Sequence, residues 1–369
     1  MRVFDERNGA FAGLRDTRVL IYWPHGLGDF VHLGTILPFL EPSNTYAITR
    51  IGDDFLSMLD GAQGIRVLYT GVREIDDGAK FGVKHLGIDF KHIRNQAMDV
   101  MLPDPISTVI DPSEFDAILY TDYPEPTGRF GFPLFSKARV AIDALAGDRV
   151  DSIDWNNPLK NVISFQASVE VQARIDEKLC KQFGADARIM LLGTGGHTEP
   201  RKTWPADYER ELISRWLRSD PCNAVVRFQD HALGIREDAR IISLRAFCSA
   251  DNALFSEVLK ALLARAKIYV GVPAGPLHAA MNARIIPVVG IWQAHHPDWY
   301  DEYFANSRHL VGRWVATMGF EYRLATKTKP KHLRQSYRYV TSDIVPVDDV
   351  WREMQTLLDA ELLVDMKSP

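Results

Sequence analysis

Cysteine is scarce, with Cys180, Cys222 and Cys248 the only three in 369 residues. They are widely spaced, odd in number and form no C-x-x-C pair, which excludes a disulfide-stapled scaffold and a zinc knuckle and fits a reducing compartment. Long apolar runs are missing too. The longest, such as Ile285 to Trp292, fall far below the ~18 residues that carry a helix across a bilayer. No transmembrane segment is expected, and any membrane contact would be peripheral. There is no basic excess: 43 Lys+Arg stand against 48 Asp+Glu, a formal net charge of -5. Whole-molecule attraction to nucleic acid is therefore not expected, and anion binding has to be local. Neither Asp-x-Asp nor H-E-x-x-H occurs, and no His/Cys set has ligand spacing, so no catalytic divalent metal is indicated. Met1 to Asp16 shows no basic start followed by an apolar block, so it does not read as a signal peptide and a cytoplasmic location is expected. Internal repeats and low-complexity tracts are absent as well.

What remains is ordinary globular usage, 46% hydrophobic and 25% charged. At ~150 residues per domain that is enough for two cores. Arg18 to Trp23 reads as a strand, Pro24 to Gly28 as a tight loop and Asp29 to Leu40 as a helix. The alternation continues faintly through strands at Thr45 to Thr49, Arg66 to Thr70 and Ala117 to Tyr120, with helices at Asp54 to Asp60 and Phe135 to Leu145. Between Val72 and Asp111 the period is lost. The polar break Gly147 to Pro158 marks a boundary. Beyond it the spacing predicts helices at Val169 to Phe183, Pro205 to Arg218, Asn252 to Ala264 and Pro276 to Ala283. Strands are expected at Ala187 to Gly193, Asn223 to Phe228, Arg240 to Leu244, Lys267 to Gly271 and Ile285 to Ile291. Unbroken Val/Ile/Leu runs between amphipathic helices are what parallel strands covered on both faces require. The expected fold class is α/β, with two doubly wound Rossmann-like domains facing each other across a cleft. Their expected ranges are 1–158 and 159–345, followed by a C-terminal helix within 346–369.

Three loops carry chemistry. In the first, Gly26 and Gly28 permit close backbone approach. Val31 stands where a dinucleotide fingerprint needs its third glycine, which disfavours NAD. Asp29 opens the following helix, either as an N-cap or as a general base facing the carboxyl end of the strand. In the second, Thr194-Gly195-Gly196 leads through hydroxyl-bearing residues to Arg201-Lys202-Thr203-Trp204-Pro205. This composition suits phosphate oxygens, and also suits a solvated loop with Trp204 packed beneath it. The third, Gly271 to His278, ends a buried strand and starts a helix whose N–H groups, led by Gly275, would favour an anion. His278 is there either a core residue or a donor. On the first half, Asp122 and Tyr123 follow a strand and, with Phe130 and Phe132, offer ring surfaces to a sugar or to the core. Six basic residues at 323, 327, 329, 331, 334 and 338 form a solvated loop or a dock for a phosphorylated acceptor.

These blocks resemble glycosyltransferase family nine, the ADP-heptose:lipopolysaccharide heptosyltransferases and their relatives, which have the two-domain GT-B fold. Gly26-Leu27-Gly28-Asp29 with Thr35 to Leu40 is similar to the family's G-x-G-D…T-P-x-L helix. Lys202-Thr203-Trp204-Pro205 with Tyr208 is similar to its K-x-W-P segment, and Gly271 to His278 with Pro287-Val288-Val289 to its G-x-D-[ST]-G-x-x-H…P-V-V segment. The resemblance covers most of the chain and is weakest from Val72 to Asp111. It implies an inverting, metal-independent transfer of a sugar from a nucleotide diphosphate to a saccharide hydroxyl, with ADP-heptose among the candidate donors and no further cofactor. It assigns Asp29 as catalytic base. Thr194, Gly195, Lys202, Thr203, Gly275, Pro276, Leu277 and His278 would hold the diphosphate. Gln229, with Asp230 and Glu237 nearby, falls near the nucleoside, and Leu244 and Arg245 near the base. Gly26, Gly28, Asp122 and Tyr123 lie on the acceptor side, and His295-His296 in a loop that approaches the donor. One departure stands out: Pro273-Ala274 replaces the family's acidic residue, which meets sugar hydroxyls. A nucleotide-sugar epimerase or hydrolase of the same fold, or an inactive nucleotide-sugar-binding relative, is the alternative expectation.

Overall fold

The computed structural model describes residues 2–4, 18–23, 42–49, 65–69, 117–120, 166–195, 202–229, 238–251, 255–283, 285–294, 297, 307–315 and 337–365. The chain divides into two compact units, Met1–Ser164 and Phe165–Pro369. In the first, short runs rich in β-branched and aromatic residues make β1 (Arg2–Phe4), β2 (Val19–Trp23), β3 (Thr45–Thr49), β4 (Arg66–Tyr69) and β5 (Ala117–Tyr120). They form a parallel sheet in the order β1-β5-β2-β3-β4. The direction of winding reverses between β2 and β5, and in open parallel sheets ligands sit outside the carboxyl ends of strands at such a reversal. Gly26, Gly28 and Asp29 come after β2 in sequence, and Asp122 and Tyr123 after β5. All five lie outside the described residues, as do the helices expected at Asp29 to Leu40, Asp54 to Asp60 and Phe135 to Leu145.

The second unit opens with α1 (Val169–Phe183), whose first turn is capped by Ser168 Oγ accepting from the Val171 N–H at 3.3 Å. It ends at Gly184, whose φ of 92° belongs to a region that favours glycine. Next come β6 (Arg188–Gly193), α2 (Ala206–Ser219), β7 (Asn223–Arg227), β8 (Ile241–Ser243) and the short α3 (Arg245–Asp251). The chain continues through α4 (Phe255–Arg265), β9 (Ile268–Gly271), α5 (Gly275–Ala283), β10 (Val288–Trp292), β11 (Ser307–Val311), β12 (Tyr337–Tyr339) and α6 (Val347–Asp365). Seven strands lie in the order β12-β11-β10-β9-β6-β7-β8, all parallel. The reversal falls between β6 and β9.

Burial along these strands explains both helical layers. Met190, Leu192, Val225, Val270, Val289 and Ile291 point to one face, where they share a core with Leu212, Ile213 and Trp216 of α2 and Val350 and Met354 of α6. The final helix is thus part of this core. The alternate residues, among them Leu191, Val226 and Tyr269, are equally buried, and α4 and α5 pack on that side against β6, β9 and β10. Two outer strands, β11 and β12, complete an edge that hydrophobic periodicity does not predict.

The second face has an unusual row. Gly193, Gly271 and Gly290 lie side by side in register across β6, β9 and β10. A Cβ at Gly271 would stand 2.5 Å from the Gly193 carbonyl oxygen and 2.8 Å from Tyr269 Cε1, and one at Gly193 would overlap the Tyr269 hydroxyl. The phenol ring occupies the space that two side chains would otherwise take. Gly193→Ala is therefore expected to destabilise the protein by about 3 kcal/mol through overpacking. Adding Tyr269→Phe should recover about half of that, because the nearest ring atom left, Cζ, is 3.3 Å away. Denaturant unfolding of the two single variants and the double variant measures this; additive losses would contradict the packing described.

Candidate functional site

The carboxyl ends of β6 and β9 meet at the reversal point, and the segments leaving these two strands define the site. After β6 comes Thr194, fully buried, with every polar group engaged. Its N–H donates to Gln229 Oε1 at 2.8 Å, its carbonyl accepts from the Trp204 N–H at 2.8 Å, and its hydroxyl lies 2.6 Å from Glu209 Oε2. A hydroxyl has one proton, so the shorter contact to the carboxylate takes it, and the 3.2 Å approach to Gln229 Oε1 is only a contact. Thr194 thus positions the loop and has no donor left over for a ligand.

Beneath it lies an ion pair that sequence reading missed. Glu209 on α2 is fully buried and accepts from Arg227 Nε at 2.7 Å, at the end of β7. A buried carboxylate without such a partner would be very costly, so guanidinium, hydroxyl and carboxylate stand or fall as a set. The signal was there: Glu209 shares the α2 face of the buried Leu212, Ile213, Trp216 and Leu217, and a lone acid on an apolar stripe needs a partner. Gln229 then closes the other side, its Nε2 3.4 Å from the Gly195 carbonyl. A Cβ at Gly195 would stand 2.9 Å from Gln229 Cγ, so glycine is needed there.

Lys202 and Thr203 stand in the turn that leads back to Trp204. Lys202 is half-buried and Thr203 exposed. Trp204 is sealed in the core with its indole N–H donating to the Val345 carbonyl at 2.8 Å. The buried Gln293, beyond β10, accepts from the Val345 N–H at 3.1 Å and reaches the Thr203 carbonyl at 3.4 Å. The Lys202 turn is thereby tied to the same edge of the sheet as Thr194.

After β9, Pro273 is buried and the chain bends into α5. Pro276 has no N–H, and those of Leu277 and His278 close on the Ala274 carbonyl at 2.9 Å and 3.3 Å. Among the described residues, the Ala274 and Gly275 N–H groups have no backbone acceptor. Such groups at a helix start are suited to an anion. Leu277 is core. His278 is buried with its ring edge-on to Trp292, centroids 6.2 Å apart. The Trp292 indole N–H donates to His309 Nδ1 at 2.9 Å, which leaves the proton of that imidazole on Nε2, facing Ser307 Oγ at 3.2 Å. Tyr269 lies under the glycine row. Burial holds its phenol protonated far above the usual tyrosine range.

Leu244 is buried at the entry to α3, its N–H donating to the Arg227 carbonyl at 2.7 Å, and Arg245 is exposed beside it. The structure therefore brings Thr194, Gly195, Lys202, Thr203, Gln229 and the start of α5 to the carboxyl edge of one sheet. Leu244 and Arg245 stand at the end of the outer strand β8. Asp230, Glu237, His295 and His296 lie outside the described residues, as do the basic positions 323 to 334. Arg338 proves not to belong to a solvated loop. It sits in β12, bound to Asp349 and, at 3.0 Å, to Glu353 of α6. Among the described residues, no group of three or more His, Cys, Asp and Glu is placed to hold a metal ion, and no helix is long and apolar enough to cross a membrane.

Neither a family model nor a curated protein matches the sequence. Solved structures do match in fold. A family nine glycosyl transferase from Veillonella parvula superposes with a TM-score of 0.53 at 14% identity, over 95% of this chain and 99% of that one. E. coli ADP-heptose LPS heptosyltransferase II superposes with a TM-score of 0.55 at 16% identity, over 93% of this chain and 99% of that one. The sheet order defines a parallel α/β protein with helices on both faces of its larger sheet. More narrowly, its fold is that of the family nine glycosyltransferases, as the resemblance in the three loops implied.

The buried pair gives a direct test. Glu209→Ala removes the buried carboxylate that binds both Arg227 Nε and the Thr194 hydroxyl, so a loss of about 3–5 kcal/mol in unfolding free energy is expected. Glu209→Gln, which keeps an acceptor for Thr194, should fall in between. A change under about 0.5 kcal/mol in either variant, of the size seen at ordinary surface positions, would contradict the arrangement.

Proposed function

We propose that this chain is an inverting, metal-independent glycosyltransferase that moves a sugar from a nucleotide diphosphate to a saccharide hydroxyl. The observation that carries the reading is the pair of glycine-ended strands β6 and β9 at the reversal of the seven-stranded sheet, one leading to Gly195 and the Lys202 turn and the other to the start of α5. Ligands in such sheets bind at that edge, and phosphates bind at helix starts. The likeness in fold to glycosyltransferases supports the reading further.

In this proposal Lys202 supplies a positive charge to the diphosphate, while Gly195 and Gly275 supply backbone N–H groups. Asp29, which follows β2 in sequence, takes the proton of the acceptor hydroxyl. The oxygen of that hydroxyl attacks the anomeric carbon as the bond to the diphosphate breaks, and configuration inverts. The charge that develops on the leaving diphosphate is met by the cation and the helix start, so no divalent ion is required for that task. The E. coli neighbour is named for ADP-heptose, which makes ADP the first nucleotide to try. Buried Pro273 and neighbouring Ala274 offer no side-chain acceptor to a polyol, which favours a donor sugar other than heptose. The same two residues favour a second reading, a relative that binds nucleotide sugars without transferring them.

Asp29→Asn should keep ADP binding and lower sugar transfer by ~10²–10⁴-fold, while a chelator leaves the parent rate unchanged. Transfer assays over a panel of nucleotide sugars, paired with ADP titrations, measure both. Near-parent transfer by Asp29→Asn would remove the base assignment, and ADP binding by the parent without transfer of any sugar would favour the second reading.

A further inference from the structure

The Tyr269 hydroxyl has no hydrogen-bond partner among the described residues although the residue is fully buried. Buried polar groups of this kind are rare, because each lost hydrogen bond costs about 1–3 kcal/mol. Its position is specific. The side chain leans from the middle of β9 toward the carboxyl edge of the sheet, so that its oxygen lies against Gly193, the last residue of β6. Phe228, just past β7, meets the ring edge-on at 5.7 Å. The helix α5 occupies the same face: it packs on α4, β9 and β10, and its His278 ring meets Trp292, which crosses Gly290 in the same glycine row.

A donor without a partner and a helix start without backbone acceptors thus lie on one face, on one strand and its continuation, at the reversal point. Both are donors of positive character. Glycines at 193 and 271 leave the room in which the phenol ring and its hydroxyl lie at this edge. We infer that the Tyr269 hydroxyl donates a hydrogen bond to a phosphoryl oxygen of the bound diphosphate, completing with the Gly275 N–H one anion subsite. This rests on the donor-diphosphate reading above and adds a residue to it. A phenol kept protonated by burial stays a donor at every working pH, and a Phe replacement removes that donor while keeping the ring in place.

The experiment compares the full-length parent with Tyr269→Phe in titrations with ADP and with inorganic pyrophosphate, and in thermal unfolding without ligand. The expected result has two parts. The variant alone unfolds a few degrees higher, since an unsatisfied hydroxyl has been removed. Its dissociation constants for ADP and pyrophosphate both rise about tenfold, or ~1.4 kcal/mol. Equal affinities in parent and variant overturn the inference. So does a loss confined to ADP, which moves the contact to the nucleoside. A variant that unfolds lower or fails to fold also overturns it, because the hydroxyl is then satisfied inside the protein. Failure of the parent to bind either probe removes the donor-diphosphate reading itself, a pattern distinct from the others.

Discussion

Two parallel strands can end side by side beneath a phenol ring only if neither carries a side chain where the ring lies. That constraint, the absence of Cβ atoms at Gly193 and Gly271 under Tyr269, sets the geometry at the reversal of the seven-stranded sheet. It lets the Gly193 carbonyl accept from the Val272 N–H at 2.8 Å, so that the chain leaving β9 is held to the chain leaving β6 before each turns away. The two loops that could meet an anion are therefore held together by backbone, close to their point of departure.

The second constraint is electrostatic. Arg227 and Glu209 bring opposite charges into a dry layer between α2 and β7, and a hydroxyl from Thr194 completes the set. Such pairs contribute little net stability but are costly to break, which makes them suited to fixing one conformation of a loop. Thr194 is fixed on every polar atom, so Gly195 leaves the sheet in one direction. The Trp204 indole and Gln293 hold the returning turn in the same way. Rigid scaffolds of this kind allow short, glycine-containing loops to present N–H groups without an ordering cost on binding.

Much of this was legible in the residues, and the exceptions have physical causes. Strands such as Arg188–Gly193 and Asn223–Arg227 are buried on both faces, so their unbroken apolar runs identify them directly. β11 carries Arg308 and His309, and β12 is three residues long. Neither shows an apolar period, and the contacts that seat their polar side chains include ones from other elements, as His309 meets Trp292 and Arg338 meets Asp349 and Glu353. The loops were located by their glycines and by Lys202, but their internal wiring was not. Thr194 reads as a ligand donor from composition alone. Only the packing of α2 shows that Glu209 claims its proton. Tyr269 reads as core filler, and nothing along the sequence says that its hydroxyl would be left without a partner beside two glycines.

The central claim is that the carboxyl edge at β6 and β9 receives an anionic nucleotide. Hydrogen–deuterium exchange of the full chain with and without saturating ADP tests it most directly. Slowed exchange concentrated in the segments 193–204 and 271–280 is the predicted result. Slowing elsewhere with those two segments unchanged, under conditions where ADP is bound, would contradict it.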